Sequence, residues 1–167
     1  APQTVLLVGN QSSQFDLTTL PHQYDLIYAL DVRGLGDLGA TPDSRDWHNQ
    51  YQPAGKDYYF SSCAELLGEN YLSGRVLDVL ATIRVLREHG AEKIDLIGYG
   101  VNSVTVALAA LLDGKTNQVT LYNAPDSWHN MVLRQVEPQP QSLMPRGILR
   151  HCDLPDIYRA VHARLKH

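Results

Sequence analysis

The sequence predicts a three-layer α/β domain, an αβα sandwich on a mostly parallel sheet. Three observations carry that expectation. Short aliphatic and β-branched runs alternate with longer segments of helical periodicity. Their order, β…β-α-β-α-β, gives a parallel sheet when each crossover is right-handed. One helical segment is apolar nearly all round, as a helix covered on both sides must be. The 167 residues suit about one domain, 1–167. A chain of this size buries roughly 70% of its unfolded surface, so it needs no disulfide or metal staple.

Thr4-Val-Leu-Leu-Val8 is continuously apolar and closes on Gly9-Asn10, the pattern of a buried parallel strand. Tyr24 to Leu30 is a second strand, ended by Asp31 and the glycines Gly34 and Gly36. From Gly34 to Asn70 the text is least regular, with Trp47, Tyr51, Tyr58, Tyr59 and Phe60, and is expected to be a long loop. A helix is expected over 71–89, where Leu72, Val76, Leu80 and Ile83 form a stripe, Leu77 and Leu86 widen it, and Gly90 stops it. Ile94 to Gly98 is the third strand, Val101 to Leu112 the apolar helix, and Gln118 to Tyr122 the fourth strand. Ser127 to Gln135 is expected as a short helix, Pro138 to Pro140 as a linker, and Leu154 to Leu165 as a closing helix.

Composition excludes several function classes. Lys+Arg 14 against Asp+Glu 18 gives a net charge of −4, which argues against nucleic acid or an anionic membrane as the partner. No apolar run is long enough to span a bilayer. Cys63 and Cys152 are far apart and outside any metal-ligand spacing, so no metal or cofactor is expected. One pair of cysteines permits one disulfide and fixes no redox compartment. The chain opens Ala1-Pro2-Gln3 without Met, so it is expected to be processed or cut from something longer.

The most informative segment is Gly98-Tyr99-Gly100-Val101-Asn102-Ser103. A strand runs through a glycine-flanked turn straight into a buried helix, the context of the nucleophile elbow G-x-S-x-G. The helix N-terminus there favours developing negative charge. The apex position holds Gly100, so the elbow is present without its nucleophile. The same residues match a weak dinucleotide fingerprint, with Ser103 in place of the third glycine. That alternative wants an acidic residue at the end of the next strand, which instead ends Tyr122-Asn123.

Asp31-Val-Arg33-Gly34-Leu-Gly36, followed by a Tyr-rich segment, helix, strand, elbow, buried helix and strand, resembles the central part of an α/β-hydrolase. Leu72-x-Gly74-Arg75-Val76-x-Asp78, with Gly147-Ile-Leu-Arg150-His-x-Asp153-Leu-Pro-Asp156-Ile-Tyr158, resembles more narrowly the acetyl-xylan-esterase-like hydrolases. The resemblance implies ester hydrolysis by an elbow Ser, with an Asp and a His from later loops. It also implies that the chain begins at the family's third strand. The chain would then end before the strand whose loops carry the acid and the His, as a fragment of a larger polypeptide would.

With Gly at the apex, the resemblance implies a degenerate hydrolase module. Its alternative is an ester hydrolase working through another nucleophile or a partner segment. The ligand class implied is a small acyl or carbohydrate ester. Ser103 is either a displaced nucleophile or a first-turn packing residue. Asp126 and His129 are either a remnant acid and base or, for Asp126 with Ser127, a helix cap. His151 and Asp153 are weaker catalytic candidates, in a stretch that the resemblance marks as structural. Asp31 and Arg33 suit an ion pair or loop bracing, and Tyr58, Tyr59 and Phe60 either pack a loop or line a pocket. Asn10, Gln11 and Ser12 follow the first strand, where the resemblance places an oxyanion-hole amide.

The resemblance implies that the four strands stand in the spatial order second, first, third, fourth, all parallel. The turns at 9–13 and 98–102 would then flank the switch point where open α/β sheets bind ligands. Both outer strands lack the Lys or Pro that blunts an edge, so a homodimer is expected to cover one, with the rest of a larger polypeptide or the chain's own segments 36–70 and 123–150 as the alternatives.

Overall fold

All four apolar runs become parallel strands of one sheet in the computed structural model, which describes residues 2–9, 23–38, 55–134 and 140–166. The strands are β1 (Gln3–Val8), β2 (Leu26–Leu30), β3 (Lys93–Tyr99) and β4 (Gln118–Tyr122), joined by β5 (Arg164–Lys166). The helices are α1 (Gly55–Leu66), α2 (Tyr71–Glu88), α3 (Asn102–Asp113), α4 (Trp128–Leu133) and α5 (Leu154–Ala160). Strand order is β2-β1-β3-β4-β5, all parallel, so the first four stand as expected. The chain reverses its direction of travel between β1 and β3, a doubly wound pattern.

Alternation along the strands divides the core in two. Leu6, Val8, Ile94, Leu96, Val119 and Leu121 pack with the buried faces of α2, α3 and α5. Val5, Leu7 and Ile97 form a second cluster with Tyr24, Tyr99 and Tyr122 packed against it. The sheet therefore buries apolar side chains on both faces, as a three-layer α/β fold requires. Val5, Leu6, Leu7 and Val8 are all fully buried, which is why this run is apolar without alternation.

Local chemistry sets the helix ends. The Asn70 side chain accepts from the Ser73 amide at the start of α2, and Gly90, at φ +92°, follows its C-cap His89. At that end Arg87 Nη2 donates to Asp113 Oδ2 at 2.8 Å, tying α2 to the end of α3. α3 is buried from Asn102 to Ala107, as its all-round apolar sequence demands, and emerges only at Leu111 and Leu112.

Three expectations are corrected. The stretch 34–70 is not all loop, because α1 forms within it. Its Tyr, Phe, Ser and Cys are poor helix formers, so the sequence carries little helical signal. Phe60 stacks on Tyr71 at 5.9 Å, so this aromatic packs α1 against α2. The closing helix stops at Ala160 rather than reaching Leu165, and the chain turns at His162, φ +49°, into β5. β5 pairs with β4 through Thr120–Tyr122, so β4 is not a sheet edge. β2 is an edge, as expected, and Leu26 to Ala29 along it are exposed. Expectations for Asn10, Gln11, Ser12, Trp47, Tyr51 and the side chain of Tyr58 lie outside the described residues. Cys63 and Cys152 are both free thiols.

Candidate functional site

The elbow sits at the carboxyl end of β3, beside the end of β1, at the switch point of the sheet. Gly98 is there because nothing larger fits: a Cβ would lie 2.9 Å from the Ser103 Cα and 3.0 Å from the Val106 Cβ. Gly98→Ala is expected to cost about 1–3 kcal/mol in urea unfolding, since α3 backbone must shift to admit the methyl. A loss under about 0.5 kcal/mol would show slack in this junction. Gly100, the apex, has φ +56°, a conformation glycine adopts freely and other residues at a cost. Its amide donates to the Tyr122 carbonyl at 2.8 Å, anchoring the turn to β4.

Around the apex the side chains brace. Tyr99 stacks on Tyr122 with ring centroids 4.8 Å apart, and the Lys166 ammonium lies 5.2 Å from the Tyr122 ring. Val101 opens α3 without a side-chain cap. Asn102 is fully buried, and its Nδ2 donates to the Gly9 carbonyl at 2.9 Å. The residue in the elbow's second glycine position thus stitches the end of β1 to the turn. Its amide side chain, rather than any glycine-like property, was the signal to follow.

Ser103 is fully buried, and its hydroxyl faces the carbonyls of Gly98 at 3.1 Å and Tyr122 at 3.2 Å. A hydroxyl committed as donor to backbone oxygens at a strand junction has no access to a substrate carbonyl. Asp126 and His129 are both exposed, with no hydrogen bond between them among the described residues. Asn130 Nδ2 donates to Asp126 at 2.8 Å, the main reason its carboxyl sits below the usual range. Ser103, Asp126 and His129 therefore make no relay. Asp126 instead borders a pocket of about 670 Å³ between the end of β4 and α5, with Tyr158, His162 and Lys166. Burial holds the Tyr158 phenol well above its ordinary range, and it donates to the Pro125 carbonyl at 2.9 Å.

Asp153 serves a structural purpose, as the structural reading of its stretch expected, through partners the sequence did not mark. It caps α5 through the Leu154 amide at 2.7 Å and receives the Trp128 amide at 2.7 Å and the Ser127 hydroxyl at 2.5 Å. Ser127 is itself the cap of α4, so one carboxylate closes two helix starts. Burial alone raises this carboxyl, and the hydrogen bonds from Ser127, Leu154 and Trp128 outweigh it, leaving it below its ordinary value.

The two motifs nearest the end of β2 fit each other. Arg33 lies across Gly74, where a Cβ would come within 2.6 Å of Nη1. Its guanidinium then reaches Asp78, one turn further along α2, through Nε at 2.9 Å and Nη2 at 2.6 Å. Burial raises the Asp78 carboxyl, but the Arg33 hydrogen bonds dominate and hold it low. Arg75, 1% exposed, donates to the Arg33 carbonyl at 3.2 Å, to Ser142 Oγ at 3.1 Å and to Asp57 Oδ1 at 2.7 Å. Its guanidinium also lies 4.8 Å from the Tyr71 ring centroid. Asp57 and Ser142, unmarked in the sequence, complete this buried cluster, and Ser142 Oγ donates to Asp57 at 2.8 Å. Arg33 thus makes an ion pair, half-exposed and with Asp78, and braces the loop after β2 through its own amide on the same carboxylate at 3.0 Å.

Among the described residues no group of His, Cys, Asp and Glu is arranged to hold a metal ion, and no helix is long and apolar enough to cross a membrane. No protein-family model matches the sequence, and no curated protein matches it at a significant level.

Proposed function

We propose that this chain is an α/β-hydrolase-like domain, related to carboxylic (acetyl xylan) ester hydrolases, that keeps the elbow and has lost the covalent step. The observation that carries the reading is Gly100 at the apex, with φ +56° and no side chain, while the hydroxyl of Ser103, three residues on, is turned into the sheet. An elbow without a nucleophile cannot form an acyl-enzyme, and what remains is whatever the surrounding dipoles contribute. The ligand class is a small acyl or carbohydrate ester, held and not cleaved.

The test is a fluorogenic acetyl-ester assay together with an organophosphonate probe read by intact mass. The expected result is turnover at background and no stoichiometric mass gain. A mass gain on any serine, with turnover to match, would establish the alternative, an active hydrolase with another nucleophile. Gly100→Ser is expected to stay silent, because Asp126 and His129 are not linked to each other or to the apex. Turnover gained by that variant would show that a base and oxyanion donors surround the apex after all.

A further inference from the structure

We propose that the outer face of the helical layer docks a second copy of this chain through a surface that carries both signs of charge. Two depressions share Pro145 and Arg146 in their linings and so lie side by side. The first, of about 620 Å³, is lined by Leu77, Leu108 and Leu112, with Glu65 and Glu69. The second, of about 420 Å³, is lined by Val132, Met144 and Leu149, with Arg150.

Large aliphatic side chains stand in water along them: Leu77 is 59% exposed, Leu112 68%, Val132 61% and Leu149 42%. Exposed aliphatic side chains gathered in two adjoining depressions mark an interaction site rather than ordinary scatter. Its charge pattern selects the occupant. The acidic residues border only the first depression and Arg150 only the second. Glu69 and Arg150 make no ion pair within 4 Å among the described residues; the more distant Arg33, itself bound to Asp78, is the cation that acts on Glu69 within its own chain. A partner carrying one sign of charge would meet repulsion in one of the two depressions. A second copy related by a twofold axis at Pro145–Arg146 does not, because it lays each first depression on the other's second. Glu69 of each copy then faces Arg150 of the other. Near the axis, Arg146 is already neutralised by Glu65 of its own chain at 2.9 Å.

Sedimentation equilibrium over a wide concentration range tests this with the whole chain. The parent is expected to rise from 18.6 kDa towards twice that mass. Leu112→Asp, at an exposed position near the end of α3, is expected to remain monomeric while its circular dichroism and unfolding match the parent. Glu69→Arg and Arg150→Glu are each expected to weaken association about tenfold, since each homodimer then holds two like-charge contacts. An equimolar mixture of the two variants is expected to regain the parent affinity, because every contact again joins opposite charges. A parent that stays at 18.6 kDa throughout overturns the proposal. So does a dimer indifferent to all three variants, including one broken only by Tyr28→Lys, which would place the contact at the β2 edge.

Discussion

Replacing Arg75 by Met is expected to lower the stability of the domain by about 3–5 kcal/mol, the range for breaking a buried ion pair from one side. Methionine keeps most of the apolar stem, so the loss measures the guanidinium. That group donates to the Arg33 carbonyl, Ser142 Oγ and Asp57 Oδ1 at once, and its departure strands a carboxylate whose side chain is only 12% exposed. For a chain of this length the change corresponds to a fall of roughly 6–20 °C in Tm. Converting Asp57 to Asn in the same background is expected to recover part of the loss, because the neutral amide no longer needs a counter-ion. Equilibrium urea unfolding of the parent, the single variants and the double variant supplies the cycle. A loss under about 1 kcal/mol for Arg75→Met would mean that water replaces the guanidinium and that the cluster contributes little.

Asp153→Ala is the second large effect, at about 2–4 kcal/mol. An N-cap is worth about 0.5–2 kcal/mol. The remainder comes from the Trp128 amide and Ser127 hydroxyl, which lose their acceptor where α4 begins. Acid supplies an independent check. The folded carboxyl is held below its unfolded value near 3.9, so its contribution is complete above about pH 4 and fades as pH falls through the folded value. The stability difference between parent and variant should therefore be constant near neutrality and shrink under acid. A difference that grows on acidification, measured by urea unfolding at stepped pH, would show the carboxyl bonded in its protonated form.

The parts of the fold legible in the sequence are those whose reasons are local or periodic. The run Thr4–Val8 is buried on both faces and accordingly has no polar alternation. The stripe of α2 and the all-round apolarity of α3 each name the surroundings those helices occupy. The elbow was legible because a turn packed this tightly needs Gly98, and a positive φ favours Gly100. Less of the candidate site was legible. Whether Ser103 faces ligand or backbone depends on the carbonyl of Tyr122, 19 residues away. The second task of Asp153 was not legible, because the other helix start it closes, that of α4, lies 25 residues earlier at Trp128.

Sequence by itself therefore determined the class of fold, the first four parallel strands and the bare glycine at the apex of the turn after β3, while their order was implied only by the resemblance. Each follows from residue spacing, from chirality of the crossovers or from the absence of a Cβ. Tertiary structure alone decided β5, α1 and the partnership of the two arginine motifs. Arg164-Leu165-Lys166 is too short and too polar to announce a strand. It becomes one because β4 offers an open ladder at Thr120–Tyr122 and the Asn123 amide donates to the Lys166 carbonyl at 2.8 Å. α1, weak in helix formers, is held by Asp57 against buried Arg75 and by Phe60 against Tyr71. Gly74 and Asp78 are four residues apart for the reason that Arg33, more than forty residues earlier, lies across one and grips the other. Such contacts join groups distant along the chain, and no local pattern of residues encodes them.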